Sequence, residues 1–117
     1  MKYHKDDKII DTKLMYIITD DHDTLILFLN LALDICKKYL PIIKNSLEKK
    51  DKDALFKGAH EINGLSTIGL TAITNISHDL LEISENINYK LGKEYLIILE
   101  KEIDKFKKWI ENFEKKN

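Results

Sequence analysis

Apolar residues recur along this chain at steps of three and four, which is the spacing of one face of an α-helix. The clearest run takes steps of three, four, three and four along Ile73, Ile76, Leu80, Ile83 and Ile87. A similar run reaches the charged C-terminus through Leu99, Ile103, Phe106, Ile110 and Phe113. Since no run that alternates apolar and polar residues competes with these patterns, we predict an all-α protein.

The longest apolar pattern predicts a helix from Thr24 to about Lys49. Its first stripe consists of Leu25, Phe28, Ala32, Ile35, Tyr39 and Ile42. Its second stripe consists of Leu29, Leu33, Cys36, Leu40, Ile43 and Leu47. A helix that is apolar on two adjacent faces is expected to pack against several others. Both stripes continue beyond Pro41, so a kink is predicted there rather than an end.

Shorter segments complete the layout. Residues 1–8 are polar and charged, and we expect them to form a flexible leader. A short helix capped by Asp11 is predicted by Ile10, Leu14 and Ile17. Polar runs predict loops or turns at residues 19–24, 48–53 and 86–92. We therefore expect residues 9–117 to form one up-and-down antiparallel four-helix bundle with a short extra N-terminal helix.

One histidine stands out in the helix predicted after residue 51. Asp51 is the expected N-cap of this helix, and Gly69 supplies the expected C-terminal stop. The apolar stripe of the helix consists of Leu55, Ala59, Ile62 and Ser66. His60 lies one residue off this stripe, so we expect its side chain at the exposed edge of the helix.

Two glycines flank His60 although a glycine inside a helix costs about 1 kcal/mol relative to alanine. Gly64 lies one turn after His60 on the same helix face. With no side chain at Gly64, a large partner could approach the imidazole. Gly58 points elsewhere, and we expect it to allow close helix packing.

The segment from Ala59 to Ser66, followed by Gly69, resembles the signature of histidine-containing phosphotransfer (HPt) domains. The positions that match that signature are His60, Ile62, Gly64 and Ser66. Asn63 departs from it, because the family usually has lysine there, and Leu65 is larger than the usual small residue. Gly69 comes one residue early, which predicts a shortened turn. The helix layout fits as well, so the resemblance covers most of the chain from about Ile10 onward.

The resemblance implies a phosphorelay intermediate. In this reading His60 accepts a phosphoryl group from a receiver-domain aspartate, or from a hybrid histidine kinase, and passes it to a response regulator receiver. Neutral imidazole is a competent nucleophile near neutral pH because its reference pKa is about 6.5. The expected surroundings of the phosphohistidine are Lys57, Asn63 and Gly64. The expected docking residues are Phe56 and Thr67.

Composition bears on the choice of function. The net charge of −1 argues against binding to nucleic acid. All 19 basic residues are lysine, which excludes a bidentate guanidinium clamp or an arginine finger on a phosphate. The four glycines allow no phosphate-cradling glycine loop. We therefore expect no kinase activity of its own and no cofactor, with the catalytic apparatus left to the partner. The resemblance to HPt domains implies that this partner is a receiver domain with a bound Mg²⁺.

Other residue types add exclusions. Cys36 is the only cysteine and lies in an apolar stripe, so we expect a buried, inert thiol. We expect no metal site from His4, His22 and His78. The absence of a 20-residue apolar segment and of a signal-peptide pattern predicts a cytoplasmic protein that does not bind membranes. We expect a monomer.

Two alternatives stay open. A degenerate HPt-like bundle could bind a receiver or another protein without being phosphorylated, and the departures at Asn63, Leu65 and Gly69 favour it. A self-sufficient enzyme such as a histidine kinase would need a nucleotide-binding element, and none is found in the sequence.

Overall fold

A computed structural model describes residues 1–85 and 88–116. Within these ranges it contains helices α1 (Thr12–Ile18), α2 (His22–Lys49), α3 (Lys52–Asn63), α4 (Thr71–Glu85) and α5 (Tyr89–Lys115), and a 3₁₀ segment, Gly64–Ile68. The described residues include no strand, which confirms the all-α prediction. Asn86, in the predicted loop, and Ile87, in the predicted stripe, lie outside the described residues.

Short polar side chains set the starts of four helices. Asp11, Asp21, Asp51 and Asn88 each accept a hydrogen bond from a backbone N–H in the first turn of the helix that follows. Such a cap contributes about 1 kcal/mol. The caps predicted at Asp11 and Asp51 are confirmed.

The last helix begins earlier than the sequence pattern indicated. We expected a loop to Gly92, but Asn88 caps α5 and residues 89–92 are helical. Gly92 is buried inside α5, where a Cβ atom would lie 2.7 Å from Cδ2 of Leu47 on α2. This glycine therefore permits close helix packing and does not mark a turn.

Each of the four longer helices packs against two of the others. α2 packs against α3 and α5, and α4 packs against the same two helices. The largest fully buried side chains include Leu25, Leu29, Ile43, Leu47, Leu55, Ile62, Ile73, Ile76, Leu80 and Phe106. All ten come from the predicted stripes, whereas Met15 and Leu70, which are also fully buried, do not. α2 also continues through Pro41, as the stripes on both sides of the proline indicated.

The short first helix buries a different face from the predicted one. Leu14 and Ile17 are 42% and 77% exposed, whereas Met15 is 1% exposed. α1 packs on the 3₁₀ segment, and Met15 is the buried residue of this helix. A seven-residue helix rich in apolar residues has more than one apolar face, so spacing alone did not select the buried one.

The leader lies against α4 and α5. The backbone N–H groups of Lys2 and Tyr3 donate to the Asp79 carboxylate at 2.6 and 2.9 Å, and the Tyr3 hydroxyl donates to Glu102 Oε1 at 2.8 Å. Asp79 and Glu102 are 1% and 2% exposed. A buried carboxylate needs such donors because its desolvation is otherwise costly. Polar composition indicated a flexible leader, but these long-range hydrogen bonds hold its first residues on the helices.

None of the described helices is both long enough and apolar enough to cross a membrane.

Candidate functional site: the face around His60

The buried side of α3 determines where His60 points. Leu55, Ala59 and Ile62 are each 1% exposed or less and face the core. Successive residues of a helix are about 100° apart, so the residue after Ala59 turns away from that core. His60 is accordingly exposed, as its position off the stripe predicted.

Five exposed residues of α3 and the 3₁₀ segment form the surface that we call the His60 face: Phe56, Lys57, His60, Gly64 and Thr67. Phe56 is 46% exposed, which confirms the expected half-exposed aromatic. The Thr67 hydroxyl donates to the Gly64 carbonyl oxygen at 3.4 Å. Among the residues that the structure describes, Lys57 forms no ion pair. Lys57 lies about one turn before His60 on α3 and is exposed.

The rings of Phe56 and His60 are stacked. Their centroids are 5.7 Å apart, and their planes differ by only 7°. The two residues are four positions apart on α3, the spacing at which helical side chains meet. Sequence reasoning placed Phe56 beside a docking surface but did not foresee contact with the imidazole.

The two glycines around His60 have different environments. A Cβ atom at Gly58 would lie 2.8 Å from Cγ1 of Ile43 on α2, which confirms that Gly58 permits close helix packing. A Cβ atom at Gly64 would meet no described atom within 4 Å outside its chain neighbours and the nearby backbone of its own helix. The backbone of Gly64 has φ −59° and ψ −18°, which any residue adopts. Neither packing nor backbone conformation therefore requires glycine at position 64.

Asn63 faces α4. Its side-chain amide donates to the backbone carbonyl oxygen of Thr74 at 2.9 Å. Leu65, the other residue that departs from the HPt signature inside the motif, is 8% exposed and belongs to the core. Both departures thus have structural roles, and the Asn63 amide nitrogen is already engaged away from the imidazole.

The turn after the motif is short, as the early glycine predicted. α3 gives way to the 3₁₀ segment at Gly64, and this segment ends at Gly69, whose φ is +89°. A side chain there would be strained, and its Cβ atom would lie 2.7 Å from the Asp11 carbonyl oxygen. The backbone N–H of Asp11 donates to the Gly69 carbonyl oxygen at 2.7 Å, so this turn also positions the start of α1.

An exposed apolar surface on α1 and the first part of α2 was not foreseen. We call it the α1–α2 apolar surface; its members are Leu14, Tyr16, Ile17, Ile18, Leu27, Phe28 and Leu31. α1 packs against the 3₁₀ segment, which directly follows the helix of His60. Tyr16, Ile18, Leu27 and Leu31 lie outside the predicted stripes, and their number was the available signal. Phe28, by contrast, was predicted in the first stripe of the long helix and is 37% exposed, so that part of the prediction was wrong.

A second group of polar side chains lies on α4. Potential ligand atoms of His78, Asp79 and Glu82 lie within 4.8 Å of one another, and His78 and Glu82 have the i, i+4 spacing that our sequence analysis overlooked. Both oxygens of Asp79 already accept backbone N–H groups of the leader. We therefore assign the Asp79 carboxylate to holding the leader.

Cys36 shows no sign of reactivity. It is fully buried in α2, and burial raises the pKa of its thiol to about 12. A thiol that stays protonated at neutral pH is a poor nucleophile. The prediction of a buried, inert cysteine is confirmed.

Concave surface occurs away from His60. A groove of about 290 Å³ lies between α2 and α5, where its apolar lining residues are Leu47, Leu96 and Ile97. A smaller groove near the end of α5 is lined by Trp109, Asn112, Phe113 and Lys116. His60 lines neither of these two grooves. Comparisons with models of protein families, with curated proteins and with solved structures found no match.

Proposed function

We propose that this chain is a phosphocarrier of the HPt type, which accepts a phosphoryl group on His60 and donates it to a receiver domain. The observation that carries the proposal is the pairing of exposed His60 with Gly64. Neither packing nor backbone conformation requires glycine at position 64, the C-cap of α3, and glycine there costs more backbone entropy on folding than alanine would. A surface that must admit a closely fitting partner beside the imidazole accounts for it.

The proposed fold is the up-and-down antiparallel four-helix bundle made by α2, α3, α4 and α5, with α1 as the extra helix. Each of these four helices packs against two of the others, and the described connections between them are short. Side-by-side packing with short connections favours antiparallel neighbours.

The transfer needs no nucleotide on this chain. The lone pair of one imidazole nitrogen attacks the phosphorus of an aspartyl phosphate on the receiver. The N–P bond forms as the P–O bond to aspartate breaks, and that electron pair leaves with the carboxylate. The product is a phosphoramidate on His60, and the same exchange in reverse loads a second receiver. Lys57 supplies positive charge near the phosphoryl group, while the receiver supplies Mg²⁺.

The proposed docking surface is the His60 face, with Phe56 and Thr67 as contact residues, extended by the α1–α2 apolar surface. Seven exposed apolar residues within positions 14–31 are more than the single scattered ones that a surface normally carries. Because α1 packs on the 3₁₀ segment, a partner seated over Gly64 is also near α1.

The proposal is tested by incubating the protein with a receiver domain carrying ³²P on its aspartate. We expect label on the wild type that is stable in alkali and labile in acid, and no label on His60→Gln. His78→Gln is the matched control, since His78 is also a partly exposed helical histidine, and it should be labelled like the wild type. Equal labelling of His60→Gln and the wild type, or no labelling of either, contradicts the proposal.

The second candidate is a module that binds a receiver without being phosphorylated. The engagement of Asn63 with Thr74 favours it, because no lysine ammonium is present at that position to neutralise phosphate. Retained receiver binding with no label on the wild type identifies this module.

A further inference from the structure

We propose that Phe56 sets the plane of the His60 imidazole and thereby acts as the positioning residue for phosphoryl transfer. The consequence for transfer rests on the phosphocarrier role proposed above, whereas the orientation of the ring does not. The proposal begins from the near-parallel stack of the two rings, 5.7 Å between centroids and 7° between planes. This geometry is an offset stack, one of the arrangements that aromatic pairs prefer.

The plane of the ring matters because the lone pair of an unprotonated imidazole nitrogen lies in that plane. In-line attack on phosphorus therefore proceeds along a direction contained in the ring plane. Rotation of the His60 ring out of the stack would turn this direction away from a docked donor. A half-turn of the ring about its Cβ–Cγ bond exchanges Nδ1 with Cδ2 and Nε2 with Cε1 but leaves the plane unchanged, so the stack fixes the plane of the ring and not the positions of its nitrogens.

No competing constraint on the ring is found in the part of the chain that the structure describes. His60 is exposed, and Gly64, one turn further on, has no side chain to contact it. The described residues form no hydrogen bond with either ring nitrogen. The backbone of Phe56 is held by α3, whose buried side consists of Leu55, Ala59 and Ile62. The orientation of the nucleophile thus depends on one neighbouring ring on the same rigid helix.

A docking role for Phe56 makes a different prediction from a positioning role. Loss of a contact residue raises the receiver concentration needed for half-maximal transfer. Loss of a positioning residue lowers the rate of transfer at a saturating receiver concentration. A small phosphoryl donor such as phosphoramidate can approach the ring from any direction, so its reaction with His60 is insensitive to positioning.

The experiment compares the wild type with Phe56→Leu, which keeps an apolar side chain of good helix propensity, and Phe56→Tyr, which keeps the ring. In NMR spectra we expect the Hε1 and Hδ2 protons of His60 to carry a ring-current shift in the wild type and Phe56→Tyr that Phe56→Leu loses. With phosphorylated receiver, Phe56→Leu should lower the saturating transfer rate about three- to tenfold, the range expected for one aromatic pair. Phe56→Tyr should keep the saturating transfer rate of the wild type. Labelling of His60 by phosphoramidate should be similar in the wild type and both variants.

The outcomes separate the two proposals. Absence of the ring-current difference, or equal saturating rates in all three proteins, overturns the positioning role. A change confined to the half-saturating receiver concentration leaves Phe56 with its docking role alone and also overturns the positioning role. If no receiver labels the wild type while the ring-current shifts are as expected, the phosphocarrier role fails and the orientation of the ring stands.

Discussion

The side-chain amide of Asn63 on α3 donates a hydrogen bond of 2.9 Å to the backbone carbonyl oxygen of Thr74 on α4. This contact ties the helix that carries His60 to its neighbour. It also explains how asparagine is used at a position where the HPt signature usually has lysine.

Asn63→Ala is expected to lower the free energy of unfolding by about 1 kcal/mol, the net value of one hydrogen bond. Chemical denaturation monitored by circular dichroism measures the change. Glu61→Ala, an exposed position two residues earlier, serves as the control and should stay within about 0.5 kcal/mol of the wild type. Equal loss of stability in both variants would show that the hydrogen bond from Asn63 to Thr74 makes no specific contribution to the free energy of unfolding.

Substitutions at Gly64 are expected to change the rate of phosphoryl transfer without lowering the stability of the protein. Gly64→Ala should leave stability unchanged or raise it by about 0.5 kcal/mol, because the new methyl group meets nothing and alanine favours helix. Gly64→Gln should remain folded but block phosphoryl transfer from a receiver. Denaturation curves and transfer assays on the same preparations test this. A Gly64→Gln protein that unfolds would instead identify Gly64 as a packing residue.

Gly58→Ala is expected to be destabilising by about 1–3 kcal/mol, the usual cost of overpacking a core. The added methyl group would lie 2.8 Å from Cγ1 of the fully buried Ile43, which leaves the neighbour little room to move. The measurement is the midpoint of urea unfolding, with Gly64→Ala as the matched glycine-to-alanine control. Similar midpoints for the two variants would contradict the close packing of α3 on α2.

Tyr3 is expected to make stability pH-dependent in alkali. Burial, followed by the hydrogen bond to Glu102, raises the pKa of Tyr3 from 10.0 to about 12. A raised pKa in the folded state stabilises the protein fully below the unfolded value, and this contribution is lost as the pH rises through the folded value. The free energy of unfolding should therefore fall more steeply between about pH 10 and pH 12 in the wild type than in Tyr3→Phe.

Urea unfolding at several alkaline pH values measures this difference. Tyr16→Phe, which removes the hydroxyl of an exposed ring on α1, is the control for loss of a tyrosine. Parallel pH profiles for the wild type and Tyr3→Phe would show that the leader does not hold Tyr3 against Glu102.

Cys36 is expected to resist alkylation until the protein unfolds. Its thiol is fully buried and its pKa is raised to about 12 by that burial. Iodoacetamide at pH 8 should therefore modify Cys36 in urea but not in buffer, as measured by mass spectrometry. Rapid modification of the folded protein would place the thiol outside the core.

The sequence predicted the helices well where the apolar spacing was long and regular. Leu80 and Phe106 are fully buried as expected, because their burial follows from a repeat that is local to one helix and needs no distant information. The prediction was wrong where the pattern was short or a glycine was ambiguous. Met15 rather than Leu14 is buried in α1, and Gly92 lies inside α5 rather than in a loop.

The sequence by itself determined that His60 is exposed on a capped helix, because one residue's offset from an apolar stripe fixes the direction of its side chain. Only the tertiary structure decided what surrounds that helix. The hydrogen bond from Asn63 to Thr74 and the tight fit of Gly58 exist because atoms from other segments of the chain lie within a few ångströms. The open space at Gly64 exists because such atoms do not lie there. Spacing along the chain carries information about helix faces, whereas these contacts arise only when separate helices pack together.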